Sequence, residues 1–116
     1  MIMRILVMLL SAEGYLVLSA EGEEEAVKVQ AGFPGPIPLL LTDMRLRQGS
    51  GVETAKRIMA ARPEISVIYM SGYPWEDFRS TGLLREKDAF LPKPFHINTF
   101  RDLVRREYGH VRPGKG

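Results

Sequence analysis

The sequence predicts a single α/β domain built on a mostly parallel sheet, and three observations carry that expectation. Short, continuous apolar runs such as "LLLTD" read as strands covered on both faces, as in a parallel sheet. Between them lie segments whose apolar residues recur at helical spacing. The connectors are short, so strand and helix alternate along the whole chain, the pattern of crossover-connected parallel strands. With 116 residues, 45% of them hydrophobic and 26% charged, the chain has material for one core.

The opening "MIMRILVMLL" resembles the apolar part of a secretion signal. Glu13 and Gly14 follow directly, however, no small-residue cleavage site appears, and the run is too short to span a bilayer. It reads as core material, in one of two registers. "MRILVM" could be a first strand, leaving only "LLSAEGY" to cross back over the sheet, although a parallel crossover needs a dozen residues or more. Alternatively, residues 2 to 13 form a helix about 18 Å long. Ile2, Leu6, Leu9 and Leu10 then share a face and Gly14 acts as the stop. The spacing favours the helix.

"EGYLVLSA", residues 13 to 20, has the β-branched and aromatic character of a short strand. "GEEEAVKVQAGF" then turns helical and closes on Gly32. Its Glu23, Glu24 and Glu25 complement the positive end of the helix dipole and read as a solvated start. "GFPGPIP" is a connector. After "LLLTD", the segment "GVETAKRIMAARPEI" places Val52, Ala55, Ile58 and Met59 on one helical face, and Pro63 ends it. "SVIYMSGY" is another buried strand, "WEDFRSTGLLREKD" a weaker helix broken near Gly82, and "AFLPKPF" a short strand. "NTFRDLVRREY" is an amphipathic helix with Phe100, Leu103 and Val104 on its stripe and Asn98 or Thr99 as cap.

Open parallel sheets place ligands just beyond the carboxyl ends of their strands. Asp43 closes "LLLTD", Ser71 closes "VIYMS" and Lys93 closes "AFLPK", so a carboxylate, a hydroxyl and an ammonium are expected on one rim. That trio suits phosphoryl acceptance: the carboxylate attacks while hydroxyl and ammonium hold the phosphoryl oxygens. Taken singly, an Asp at a strand end is an ordinary turn residue and a Lys is ordinarily solvated; only their joint placement points to chemistry.

On "LLLTDMRL", "VIYMSGY" and "AFLPKPF", over residues 4 to 108, the chain resembles the receiver domain of two-component response regulators. The resemblance implies a flavodoxin-like, doubly wound α/β sheet in a three-layer α/β/α sandwich, truncated at its N-terminus. Residues 1–109 would be the receiver-like domain, starting at its first helix, and 110–116 a flexible basic tail. It implies Asp43 as phosphoacceptor, Ser71 and Lys93 as its hydroxyl and cationic partners, Phe90 as the aromatic switch, and a cis peptide at Lys93-Pro94. Phe90 is equally a core residue, and cis bonds are cheap only before proline. Mg²⁺ is the implied cofactor, with Asp43 and the Arg45 backbone carbonyl as ligands. The family's acidic pair, at the end of its first strand, has no counterpart here, because no acidic residue precedes Glu13. Mg²⁺ binding is therefore expected to be weak or absent. The family's Pro-Gly turn is replaced by "RLRQGSG", in which Gly49 and Gly51 can supply the turn.

Without the first strand, the "YLVLSA" and "LLLTD" strands would carry unpaired backbone groups, which predicts self-association, strand swapping or rearrangement. The implied donor is a histidine kinase. The alternative function is that of a degenerate receiver, an interaction module independent of phosphorylation that uses "YPWEDF" and the final helix. Enzymatic activity would be limited to self-phosphorylation and dephosphorylation of the receiver aspartate. A net charge of +2, partly in the tail, gives no ground for nucleic-acid binding, and no span suggests a membrane. The absence of cysteine suits a cytoplasmic location. His96 and His110 are too far apart to suggest a metal site.

Overall fold

The computed structural model describes residues 2–44, 51–72, 82, 85 and 88–111. Helices α1 (Ile2–Ala12) and α2 (Glu23–Gly32) precede strand β1 (Leu39–Asp43). Helix α3 (Gly51–Ala61), strands β2 (Ser66–Ser71) and β3 (Ala89–Pro92) and helix α4 (Ile97–Val111) follow. The strands form a parallel sheet in the order β1-β2-β3, with Leu41 opposite Ile68 and Tyr69 opposite Phe90. No helix among the described residues is long and apolar enough to cross a membrane.

Alternation along the strands divides the core into two faces, because successive side chains leave a strand on opposite sides. Leu39, Leu41, Ile68, Met70, Ala89 and Leu91 turn to one face, where Leu6 and Leu10 of α1 and Phe100, Leu103 and Val104 of α4 cover them. Val67 and Tyr69 turn to the other, against Ala55 and Ile58 of α3, with Ala26 and Val27 of α2 packed alongside. The result is a three-layer α/β/α arrangement, and β2, buried at every position, runs through its middle. Burial also raises the Tyr69 phenol to about 12, with the Asp88 carboxylate adding to the shift.

The first helix takes the second of the two registers. Gly14, at φ +96°, ends it: Gly14 N–H donates to the Ser11 carbonyl and Tyr15 N–H to the Leu10 carbonyl, the paired bonds of a left-handed helix stop. At the end of α2 a side chain serves instead. The Arg62 guanidinium donates to the carbonyls of Gln30, Phe33 and Gly35 and to Gln30 Oε1, fastening the α2–β1 connector to the end of α3. Glu23 and Glu24 open α2 and both accept from Arg57 of α3. The Arg57 partner lowers the Glu24 pKa.

Four expectations need correction or restriction. "YLVLSA" is not a strand of this sheet: residues 15–20 take no part in its ladder, and the sheet has three strands among the described residues. The reason is tertiary, since strand propensity is realised only beside a partner backbone, and no described strand pairs with this segment. Helix α4 begins at Ile97, so Asn98 and Thr99 lie within its first turn. The cap position falls to His96, whose carbonyl accepts from Phe100 N–H. The helix also runs to Val111, two residues into the expected tail, of which 112–116 lie outside the described residues. So do residues 73–81 and most of 83–87, and with them the "YPWEDF" loop and the weaker helix.

Candidate functional site

The parallel register brings the carboxyl ends of all three strands to one rim. Asp43 is the last residue of β1, Ser71 the last of β2, and Lys93 follows β3 directly. Backbone bonds hold these ends level: Met44 N–H donates to the Met70 carbonyl at 2.9 Å, and Lys93 N–H to the Ser71 carbonyl at 2.7 Å. The Lys93 side chain reaches from the end of β3 to that of β1, past the intervening β2, and its Nζ pairs with Asp43 Oδ2. Both side chains are partly exposed, so the pair is open to an incoming reagent. Ser71 is buried within the rim. The Lys93–Pro94 peptide bond is cis.

Phe90 is half-buried, opposite Tyr69 and against the α2–α3 face of the core. It is on β3, three residues before Lys93, on the strand that carries the site's cation. Arg45 lies outside the described residues, so its carbonyl takes no place in this geometry. His96 is exposed beyond the rim.

Two contributors were not assigned a site role from the sequence. Thr42 is buried, and its hydroxyl donates to the Asp43 carbonyl at 3.1 Å. Gly51, read from the sequence only as a turn residue, opens α3 directly against the end of β1, with its N–H donating to the Met44 carbonyl at 3.1 Å. A Cβ at position 51 would collide with the Asp43 carbonyl and lie 2.8 Å from Thr42 Oγ1. Backbone against backbone cannot yield by a rotamer change. Gly51→Ala is therefore expected to cost about 1–3 kcal/mol in urea unfolding and to shift the Asp43 backbone at the rim. An unchanged midpoint would show that the close approach is not needed.

The donor set was weighed against Mg²⁺, which requires near-octahedral oxygen coordination, commonly from one or two carboxylates with phosphate and water. Asp43 supplies one carboxylate, already shared with Lys93. Among the described residues no three acidic or histidine side chains gather to hold a metal ion. These residues do not make a preformed Mg²⁺ cage.

A parallel α/β sheet presenting a carboxylate, a hydroxyl and an ammonium at one rim defines a phosphoacceptor-type domain. Residues 1–105 match the response regulator receiver domain family, and the chain belongs to that family. Among curated relatives it is 35% identical over 86 residues to the response regulator protein PilR of Pseudomonas aeruginosa, covering 74% of this chain and 19% of that protein. It is 27% identical over 109 residues to the cell cycle transcriptional regulator CtrA of Caulobacter vibrioides, covering 90% of this chain and 46% of CtrA. With the sensor kinase CckA of Brucella abortus it shares 26% identity over 96 residues, 83% of this chain and 10% of that kinase. The chain thus spans less than half the length of these relatives. The non-phosphorylated HemR receiver domain from Leptospira biflexa superposes with a TM-score of 0.77 at 26% identity, over 95% of this chain and 87% of that one. These relationships establish a flavodoxin-like receiver of two-component signal transduction.

Proposed function

We propose that this receiver accepts a phosphoryl group on Asp43 from a histidine kinase. The observation that carries the reading is the Asp43–Lys93 ion pair at the strand rim, with Ser71 ending the strand between them. An Asp43 carboxylate oxygen attacks phosphorus, and the new P–O bond gives an acyl phosphate as the bond to the donor breaks. For a phosphohistidine donor the bond broken is P–N, and the leaving imidazole nitrogen takes up a proton. Lys93 would stabilise charge on the transferring phosphoryl oxygens, and the Ser71 hydroxyl would hold one of them. Receiver domains generally bind Mg²⁺ through acidic residues. Here the single carboxylate supports weak binding at most, and no step is routed through the ion. Self-phosphorylation and its reversal would be the domain's only chemistry.

The test is incubation with acetyl phosphate or a histidine kinase, followed by intact-mass measurement. A single phosphoryl adduct, stable in acid, labile in base and lost in Asp43→Ala, is the expected result. No adduct under conditions that label another receiver would favour the second reading, an interaction module independent of phosphorylation. That reading draws on the lack of an acidic cluster among the described residues. Residues 1–109 would constitute the receiver unit under either reading.

A further inference from the structure

Both polar groups of the peptide that follows Asp43 are bonded, and on opposite sides. A peptide unit is planar, and in its trans form the carbonyl and the N–H point in opposite directions. The Asp43–Met44 unit donates from Met44 N–H to the Met70 carbonyl of β2 at 2.9 Å, and its Asp43 carbonyl accepts from the Thr42 hydroxyl at 3.1 Å. A turn of this plane about the Asp43 Cα–C bond would break both bonds at once. The first residue of α3 closes over the same carbonyl, since a Cβ at Gly51 would collide with it and stand 2.8 Å from Thr42 Oγ1. The Gly51 N–H donates to the Met44 carbonyl at 3.1 Å, which ties the next peptide as well.

We propose that Thr42 is a positioning residue for Asp43: its hydroxyl fixes the Asp43–Met44 peptide plane and, through it, the direction in which the Asp43 carboxylate leaves the rim. The proposal rests on the reading of Asp43 as phosphoacceptor and adds the residue that aims it. Of the five residues of β1, Thr42 is the buried one, and by alternation its side chain lies on the α2–α3 face with Leu40. A buried position on a covered parallel strand ordinarily suits valine, which has the same branched shape. A hydroxyl there is costly unless it is bonded, and this one is bonded to the carbonyl of the acceptor residue itself. Lys93 does not set the direction alone, because it meets the carboxylate at the far end of that side chain and is itself partly exposed. Attack on phosphorus requires the nucleophilic oxygen to be held in line, and small misplacements of a reacting group slow such a step steeply.

Labelling of Thr42→Val and Thr42→Ser by acetyl phosphate, over a range of donor concentrations and followed by intact mass, tests the proposal. Thr42→Val keeps the branched shape and loses the hydroxyl. Its labelling rate at saturating donor is expected to fall about 10–10²-fold, with the half-saturating donor concentration little changed, since Ser71 and Lys93 are intact. Thr42→Ser keeps the hydroxyl and should recover most of the loss. Amide exchange supplies a readout that needs no phosphate: in Thr42→Val the Met44 N–H should exchange faster, while the Val67 N–H, bonded to Asp88 Oδ1 in the same sheet, should exchange as in wild type. Equal labelling rates for Thr42→Val and wild type overturn the proposal. So does a loss that Thr42→Ser leaves unrestored, or one accompanied by faster exchange at Val67, because the residue would then support the fold in general. If wild type itself takes no label under conditions that label another receiver, the acceptor reading fails, and Met44 exchange alone decides whether Thr42 holds the Asp43–Met44 peptide.

Discussion

Lys93→Ala is expected to reduce the rate at which acetyl phosphate labels this chain by about 10²–10³-fold, the usual cost of removing one preorganised donor to developing oxyanion charge. Under the proposed function the ammonium is held where charge would develop, since its Nζ already pairs with the Asp43 carboxylate. Its backbone is fixed by the 2.7 Å bond from Lys93 N–H to the Ser71 carbonyl, so the substitution removes the charge without unseating the strand end. Lys93→Arg keeps the charge and should retain more of the rate, although the planar fork is longer and less compact than an ammonium. Labelling rates followed by intact mass, with urea midpoints measured in parallel, separate a lost donor from a lost fold. Equal rates for wild type and Lys93→Ala would remove the lysine from the mechanism.

Asp88→Ala is expected to destabilise the fold by about 3–5 kcal/mol, the range for breaking a buried ion pair from one side. The Asp88 side chain is fully buried. Its Oδ1 accepts from Val67 N–H at 2.9 Å and from the Arg85 guanidinium, and its Oδ2 accepts from Arg85 N–H and Nε. Arg85 in turn donates to the Ile65 carbonyl at 2.7 Å, and the carboxylate beside it raises its pKa. Truncating Asp88 leaves Val67 N–H without its acceptor at the start of the central strand and the guanidinium without its carboxylate. Because whole domains of this size are stable by only about 5–15 kcal/mol, the loss should be plain in urea-unfolding curves followed by circular dichroism. A change below about 1 kcal/mol, the usual range of exposed pairs, would show that the network is replaceable.

How much could be read in advance depended on whether a segment's neighbours were implied by its own pattern. "LLLTD" and "SVIYMSGY" are apolar on both faces, which makes sense only inside a covered parallel sheet; the first became a strand over its full length and the second one from Ser66 to Ser71, two residues short of its expected end. Ala55, Ile58, Phe100, Leu103 and Val104 announced their buried faces by spacing alone. "YLVLSA" has as much strand character, yet that property needs a second backbone to act on, and one sequence does not display where the neighbour lies. Asp43, Ser71 and Lys93 were legible as strand ends, whereas the ion pair joining the first and last of them is a fact of three dimensions. The approach of Gly51 to the Asp43 carbonyl was invisible for a different reason: a glycine near a turn gives no sign of what its missing Cβ makes room for. The Arg85–Asp88 network went unread because an i, i+3 pair near a strand looks like an ordinary solvated pair until burial is known.

Asp43 and Lys93 stand fifty positions apart, with the end of a third segment between them. No fragment short of that span contains the arrangement, and no local refolding can rebuild it. Under the proposed function, acceptance of a phosphoryl group would accordingly be an all-or-none property of the folded domain: a molecule that can be marked at Asp43 would certify by that fact that its sheet is intact.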